Sequence, residues 1–156
     1  MRGEPEVIDF LNELLTSELT AINQYFIHYK MCANQGYHAL AHKKRAESIE
    51  EMKHADVLIE RILYLDGLPN LQRYTKVNVG QSVPEMFQLD LAVEYDAVKR
   101  FNTGIDAAQK AGDNGTRDIL QTMLREEEAH VDWLETQQEA MKQTGLENYL
   151  AEQLTK

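Results

Sequence analysis

Two stretches of this chain set a carboxylate and an imidazole three residues apart: Glu51 with His54 inside "EEMKHAD" (50–56), and Glu127 with His130 inside "EEEAHVD" (126–132). Residues at i and i+3 lie about 60° apart on a helix surface, so each pair can address one point. Two more glutamates, Glu18 and Glu94, interrupt apolar stripes that step by three and four. Glu18 precedes Glu51 by 33 residues and Glu94 precedes Glu127 by 33 residues. The chain therefore contains the pattern Glu, then Glu-x-x-His, twice. A single Glu-x-x-His is an ordinary product of an acidic helix with a solvated face; two, each with a matched upstream partner, point to one shared site.

Four carboxylates cannot be buried together uncompensated, because each loses hydration and repels the others. Two divalent ions would offset the four negative charges, with the imidazoles as neutral nitrogen donors. Four Glu and two His suit a pair of iron or manganese ions. Zinc favours fewer ligands and often sulfur, and magnesium prefers oxygen and water. Each copy of the pattern would thus supply half of a dinuclear metal centre, with Glu18, Glu51, His54, Glu94, Glu127 and His130 as its ligands.

The elements that position these residues follow from periodicity and punctuation. Pro5 suits a helix first turn, and "NQG" (34–36) supplies a stop. A second helix then runs to about "LDGLP" (65–69). Ser82 three residues before Glu85 forms a capping-box signature for a third helix, which should break near "AGDNG" (111–115). A fourth reaches Gly145, and "LENYLAEQL" forms a short tail helix. The inward stripes are Leu11, Leu15, Glu18, Ile22 and Tyr25 in the first helix, and Glu51, His54, Leu58, Ile62 and Leu65 in the second. In the third they are Phe87, Leu91, Glu94, Val98, Phe101 and Ile105, and in the fourth Leu120, Met123, Glu127, His130 and Leu134. The connections near 35 and 113 are short, whereas 66–82 could reach roughly 55 Å, enough to run the length of a helix of roughly 28 residues, about 42 Å. These features predict an all-α fold, a four-helix bundle with one long crossover and a short C-terminal fifth helix, as one domain over 1–156.

The 16 basic against 26 acidic residues, a formal net charge of −10, argue against nucleic-acid binding and suit a handler of cations. Cys32 is the only cysteine, expected as a free, partly buried thiol, so a disulfide framework and Cys-rich metal motifs are excluded. The first ten residues lack a signal-like apolar run and no stretch has the length of a membrane span, so a cytoplasmic location is expected. His28, His38 and His42 lack matched carboxylates and are expected to be exposed or locally hydrogen-bonded, and "HKKR" (42–45) to be a solvated face. Ile49, Met52, Ile59 and Leu63 form a second apolar stripe on the second helix, off the inward face, which association should cover.

The sequence resembles the bacterioferritins of the ferritin-like superfamily through "AINQYF" (21–26), "EMKHAD" (51–56), "RIL" and "GLPN" (61–70), "DWLE" (132–135) and "GLENYL" (145–150). The resemblance implies that the six residues are ferroxidase ligands oxidising Fe²⁺ with O₂ or H₂O₂. It also implies a homo-oligomeric, hollow 24-subunit shell that stores ferric mineral. In this family the position of Met52 supplies the thioether ligand of a b-type haem shared between two subunits, with Leu19, Asn23 and Phe26 as pocket residues here. A small [2Fe–2S] ferredoxin is the implied reductant for iron release. At the inner wall, Ala46 stands where some members have a histidine and Glu50 where some have an aspartate, a pair associated with an accessory iron, and Ala46 cannot ligate. Leu58 replaces a tyrosine of some members, leaving Tyr25 and Trp133 as redox-active aromatics or packing residues. The alternatives are a di-iron oxidase or peroxidase without a storage role, and a purely structural or DNA-protecting assembly, which the acidic charge disfavours.

Overall fold

A computed structural model describes residues 1–154. It contains five helices: α1 Pro5–Asn34, α2 His38–Tyr64, α3 Val83–Lys110, α4 Asn114–Thr144 and α5 Leu146–Gln153. The punctuation read from sequence sits at the ends of these elements. Gly36 adopts φ 87 in the α1–α2 turn and Gly145 φ 84 between α4 and α5, backbone that a side chain rarely adopts. The Ser82 side chain accepts from the Glu85 N–H, and Asp113 does the same for Thr116 at the start of α4. Arg61 near the end of α2 donates to Thr116 Oγ1 (2.9 Å) and Asp113 Oδ1 (2.9 Å), tying α2 to the start of α4.

Helices α1 and α2 form one antiparallel hairpin and α3 and α4 the other, with α1 packed on α3. The connection from α2 to α3 climbs along α1 in register. Leu68 O accepts from Asn12, Arg73 donates to Thr16, the Thr75 N–H to Thr20, the Asn78 N–H to Gln24 and the Gly80 N–H to His28. The rungs advance from residue 12 to residue 28, so α3 begins beside the far end of α1 and runs antiparallel to it. This is the long crossover, and it gives the four-helix bundle with a short fifth helix.

Two apolar cores fill the bundle. One holds Leu11, Leu15, Leu58, Ile62, Phe101, Leu120 and Met123, and the other Cys32, Leu40, Met86, Phe87, Leu134 and Tyr149. In α3 the buried positions include Ala97 and Gly104, while Val98 and Ile105 are only partly covered. Small side chains serve at this seam because a Cβ on Gly104 would already lie 3.3 Å from Leu120 and 3.4 Å from Leu14.

Two expectations are corrected here. His28 is fully buried and bonded to residues distant in sequence, rather than exposed or locally hydrogen-bonded, and Lys44, within "HKKR", is also buried, whereas His42 and Arg45 are exposed. Both serve Asp90. Its Oδ1 accepts from Gln24 Nε2 (2.9 Å) and His28 Nδ1 (2.8 Å), and its Oδ2 from Lys44 Nζ (2.7 Å). The Gly80 N–H donates to His28 Nε2, so Nδ1 carries the ring proton. Burial opposes ionisation of Asp90, but Lys44 and the His28 and Gln24 donors outweigh it and hold its carboxyl below the usual range. A helix-spacing argument cannot see this network, because its members come from three helices and the crossover.

Asp90→Ala would strand the buried Lys44 ammonium and should cost about 3–5 kcal/mol. The double variant Lys44→Met with Asp90→Asn, which removes both charges, should cost less. Urea unfolding of the two variants checks this; equal losses would mean that the ion pair contributes no coupling.

Candidate metal centre

Between the two apolar cores all four long helices turn a carboxylate inward. Glu18, Glu51, Glu94 and Glu127 are each at most 1% exposed, and His54 and His130 are each 5% exposed. The six lie on stripes continued by core residues, so the same helical phase that buries Leu11, Leu58, Phe101 and Leu120 buries the polar groups. Tyr25, about two turns beyond Glu18 along α1, donates its hydroxyl to Glu94 Oε1 in a short contact. Burial, followed by the charge of Glu94, pushes the Tyr25 phenol well above its ordinary range, so it remains a donor.

The six side chains form two overlapping groups: Glu18, Glu51, His54 and Glu127, and Glu51, Glu94, Glu127 and His130. Within each, the candidate ligand atoms lie within 4.8 Å of one another. Glu51 and Glu127 belong to both. Each imidazole turns Nδ1 toward the carboxylates: His54 Nδ1 is 2.9 Å from Glu127 and 3.5 Å from Glu18, and His130 Nδ1 is 3.2 Å from Glu51 and 3.3 Å from Glu94.

Five of the seven buried side-chain polar atoms without a hydrogen bond among the described residues are carboxylate oxygens of this cluster: Glu18 Oε1 and Oε2, Glu51 Oε1, Glu94 Oε2 and Glu127 Oε2. An orphaned buried oxygen is costly, and two unit charges 4 Å apart repel by about 4 kcal/mol even at an effective dielectric of 20. Lone pairs without donors, converging from four helices with two nitrogens, fit two hard or borderline cations. Without ions the cluster is offset by protons. Burial alone would lower the His54 pKa, but the hydrogen bond to Glu127 and the nearby Glu51 carboxylate outweigh it and push it up to about 11. His130 is raised in the same way by Glu127, Glu51 and Glu94. Burial, then the neighbouring Glu127, drives Glu94 well above the usual carboxyl range.

Sequence reasoning missed the far side of each imidazole. His130 Nε2 lies 2.5 Å from Glu50 Oε2, and His54 Nε2 contacts Glu126 Oε2 even more closely. The signal was the doubled glutamate that opens both E-E-x-x-H runs. It also missed Glu47, a buried carboxyl raised to about 7 by burial, against the lowering effects of His130 and Lys44. Trp133 packs on Phe87 in the second core, with centroids 5.7 Å apart. Ala46 is exposed.

Residues 8–144 match the ferritin family, described as a ferritin-like domain. The bacterioferritin of Streptomyces coelicolor is 51% identical over 151 residues, covering 97% of this chain and 90% of that protein. Bacterioferritin BfrA of Mycobacterium tuberculosis is 49% identical over 152 residues, covering 97% and 96%. The bacterioferritin of Brucella melitensis is 44% identical over 149 residues, covering 96% and 92%. The chain belongs to the bacterioferritin family.

Met52 lies on the second apolar stripe of α2, off the inward face. It is 57% exposed on the outer face of α2, where Leu19, Ile22, Asn23, Ile59, Leu71 and Tyr74 join it around a groove of about 300 Å³. Leu19 and Asn23 line this groove, and Phe26 is 53% exposed and packs edge-on against Tyr29. Ile49 and Leu63 are exposed on the same helix and Ile59 is partly covered. Among the described residues, no helix is long and apolar enough to cross a membrane.

Cation binding at the centre should release protons, because each His Nδ1 must lose its proton to ligate. Titrating redox-inert Zn²⁺ into the metal-free protein at pH 7, in buffers of differing ionisation enthalpy, should reveal release of about two to three protons per filled centre. Affinity should rise with pH, since His54 holds its proton until about pH 11 when no ion is bound. Proton-neutral binding would exclude both imidazoles from the ligand set.

Proposed function

We propose that this chain, acting as one ferritin-like domain over 1–156, is an iron-storage ferroxidase. The observation that carries the reading is the pair of overlapping four-residue groups sharing Glu51 and Glu127. Two Fe²⁺ ions are the substrate. One meets Glu18 and His54, the other Glu94 and His130, and Glu51 and Glu127 serve both. Carboxylate oxygens are hard donors and favour Fe³⁺ over Fe²⁺, so the cluster lowers the barrier to losing an electron from each ion. The two electrons reduce H₂O₂ with two protons to two waters, or O₂ with two protons to H₂O₂. The Tyr25 hydroxyl holds Glu94 in position, and the apolar cores on either side limit water at the centre.

The rest of the reading is supported by family membership and by surface character. Bacterioferritin relatives support iron storage, with the ferric product mineralised inside a homo-oligomeric 24-subunit shell in the cytoplasm. The exposed apolar face of α2 gives subunits a surface to bury against each other. Met52 would hold a b-type haem shared by two subunits, with Leu19, Asn23 and Phe26 as pocket residues. When bound, the haem supplies one-electron transfer, and a [2Fe–2S] ferredoxin is the proposed donor for returning iron to Fe²⁺.

Glu18→Ala, Glu94→Ala and His130→Ala should each slow the fast phase of Fe²⁺ oxidation by more than about tenfold, the lower end of what losing even an outer partner of a metal ligand costs. Helical content by circular dichroism should be retained. Stopped-flow absorbance checks this, and wild-type initial rates in the triple variant would overturn the ligand assignment.

Met52→Leu should abolish haem binding because an aliphatic chain offers no ligand, while Met52→His should retain haem with an altered spectrum. Haem reconstitution followed by absorbance measures both; equal loading of wild type and Met52→Leu would remove Met52 from the site.

A further inference from the structure

We propose that Glu50 and Glu126 are crossed positioning residues, each aiming the imidazole of the opposite helix at one of the two metal positions. The inference rests on the metal-centre reading above and assigns these residues a role distinct from ligation. Both belong to the E-E-x-x-H runs, at 50–54 and 126–130. Consecutive residues are about 100° apart on a helix, so when Glu51 and Glu127 face the centre, the glutamate before each is turned aside. It is turned toward the other run. Glu50 on α2 meets His130 Nε2 on α4 (2.5 Å), and Glu126 on α4 meets His54 Nε2 on α2. The arrangement is a local two-fold exchange between the halves of the chain.

The chemistry follows from the two nitrogens of one ring. An ion at Nδ1 requires Nε2 to carry the ring proton, and a carboxylate facing Nε2 accepts that proton's hydrogen bond. This fixes the tautomer, limits rotation of the ring and strengthens Nδ1 as a donor. Glu50 and Glu126 suit the task because their side chains are 52% exposed while the rings they hold are 6% exposed, so each stays hydrated on its outer side. Glu50 stands at the inner-wall position discussed above, yet its carboxylate is engaged with His130, and the neighbouring Ala46 offers no ligand.

The crossing makes the inference specific. Loss of Glu126 should weaken the position built on His54 and Glu18, and loss of Glu50 the position built on His130 and Glu94. Calorimetric titration of Co²⁺ into the metal-free, assembled protein, followed in parallel by its visible ligand-field absorption, tests it. Wild type should bind two ions per chain at the centre. Glu126→Ala should bind one of them about 10- to 100-fold more weakly, with the absorption of that ion shifted and the other within about threefold of wild type. Glu126→Gln, which keeps an acceptor oxygen, should recover most of the affinity. Glu50→Ala should affect the complementary ion, a distinction read by combining each variant with Glu18→Ala. Two ions bound by both alanine variants with wild-type affinity and spectrum would overturn the positioning role and leave the metal centre standing. Failure of the wild-type protein to bind two ions would overturn the metal centre itself. A third wild-type ion lost from Glu50→Ala or Glu126→Ala, the other two being unchanged, would make these residues ligands and also overturn the proposal.

Discussion

The four carboxylates buried at the waist of the bundle govern the rest of the molecule. Their mutual repulsion and lost hydration would favour opening of the helices, and the metal-free protein answers with protons on His54, His130 and Glu94. Protons satisfy charge but leave lone pairs unused, as the five orphaned oxygens attest. Only ligands that accept several lone pairs at once resolve both problems, and divalent cations do so. The cluster therefore suits divalent cations better than protons, since only cations engage the unpaired oxygens as well as offset the charge.

Such a site persists only if the scaffold is over-determined around it. Apolar cores above and below clamp the helices at fixed phase. The crossover, hydrogen-bonded rung by rung to α1 from Asn12 to His28, prevents α3 from sliding relative to α1 and so sets the level of Glu94 against Glu18. The Asp90 network locks the end of that ladder, with Gly80 lying so close to the first turn of α3 that a Cβ there would fall 2.6 Å from the Met86 nitrogen. Helix placement, and with it the relative height of the six ligands, is a product of these long-range bonds.

Much of this was legible from the chain because helical phase is a local property. The six inward groups, the cap at Ser82 and the long connection all follow from spacing and turn residues. The crossed contacts of Glu50 and Glu126, the burial of His28 and Lys44, and the replacement of Val98 by Ala97 at the α3 seam do not. Each depends on which neighbour a helix meets, and a surface-typical residue such as Lys44 is buried only because Asp90, 46 residues away, is buried opposite it.

The central claim is that this cluster holds two cations bridged by Glu51 and Glu127. Anomalous diffraction at the iron edge, from crystals loaded with Fe²⁺ in the absence of oxidant, tests it most directly. The expected result is two peaks per chain about 3.5–4 Å apart, one beside His54 Nδ1 and the other beside His130 Nδ1, both between the shared carboxylates. A single central peak, or iron confined to exposed carboxylates with none among the four buried glutamates, would contradict it.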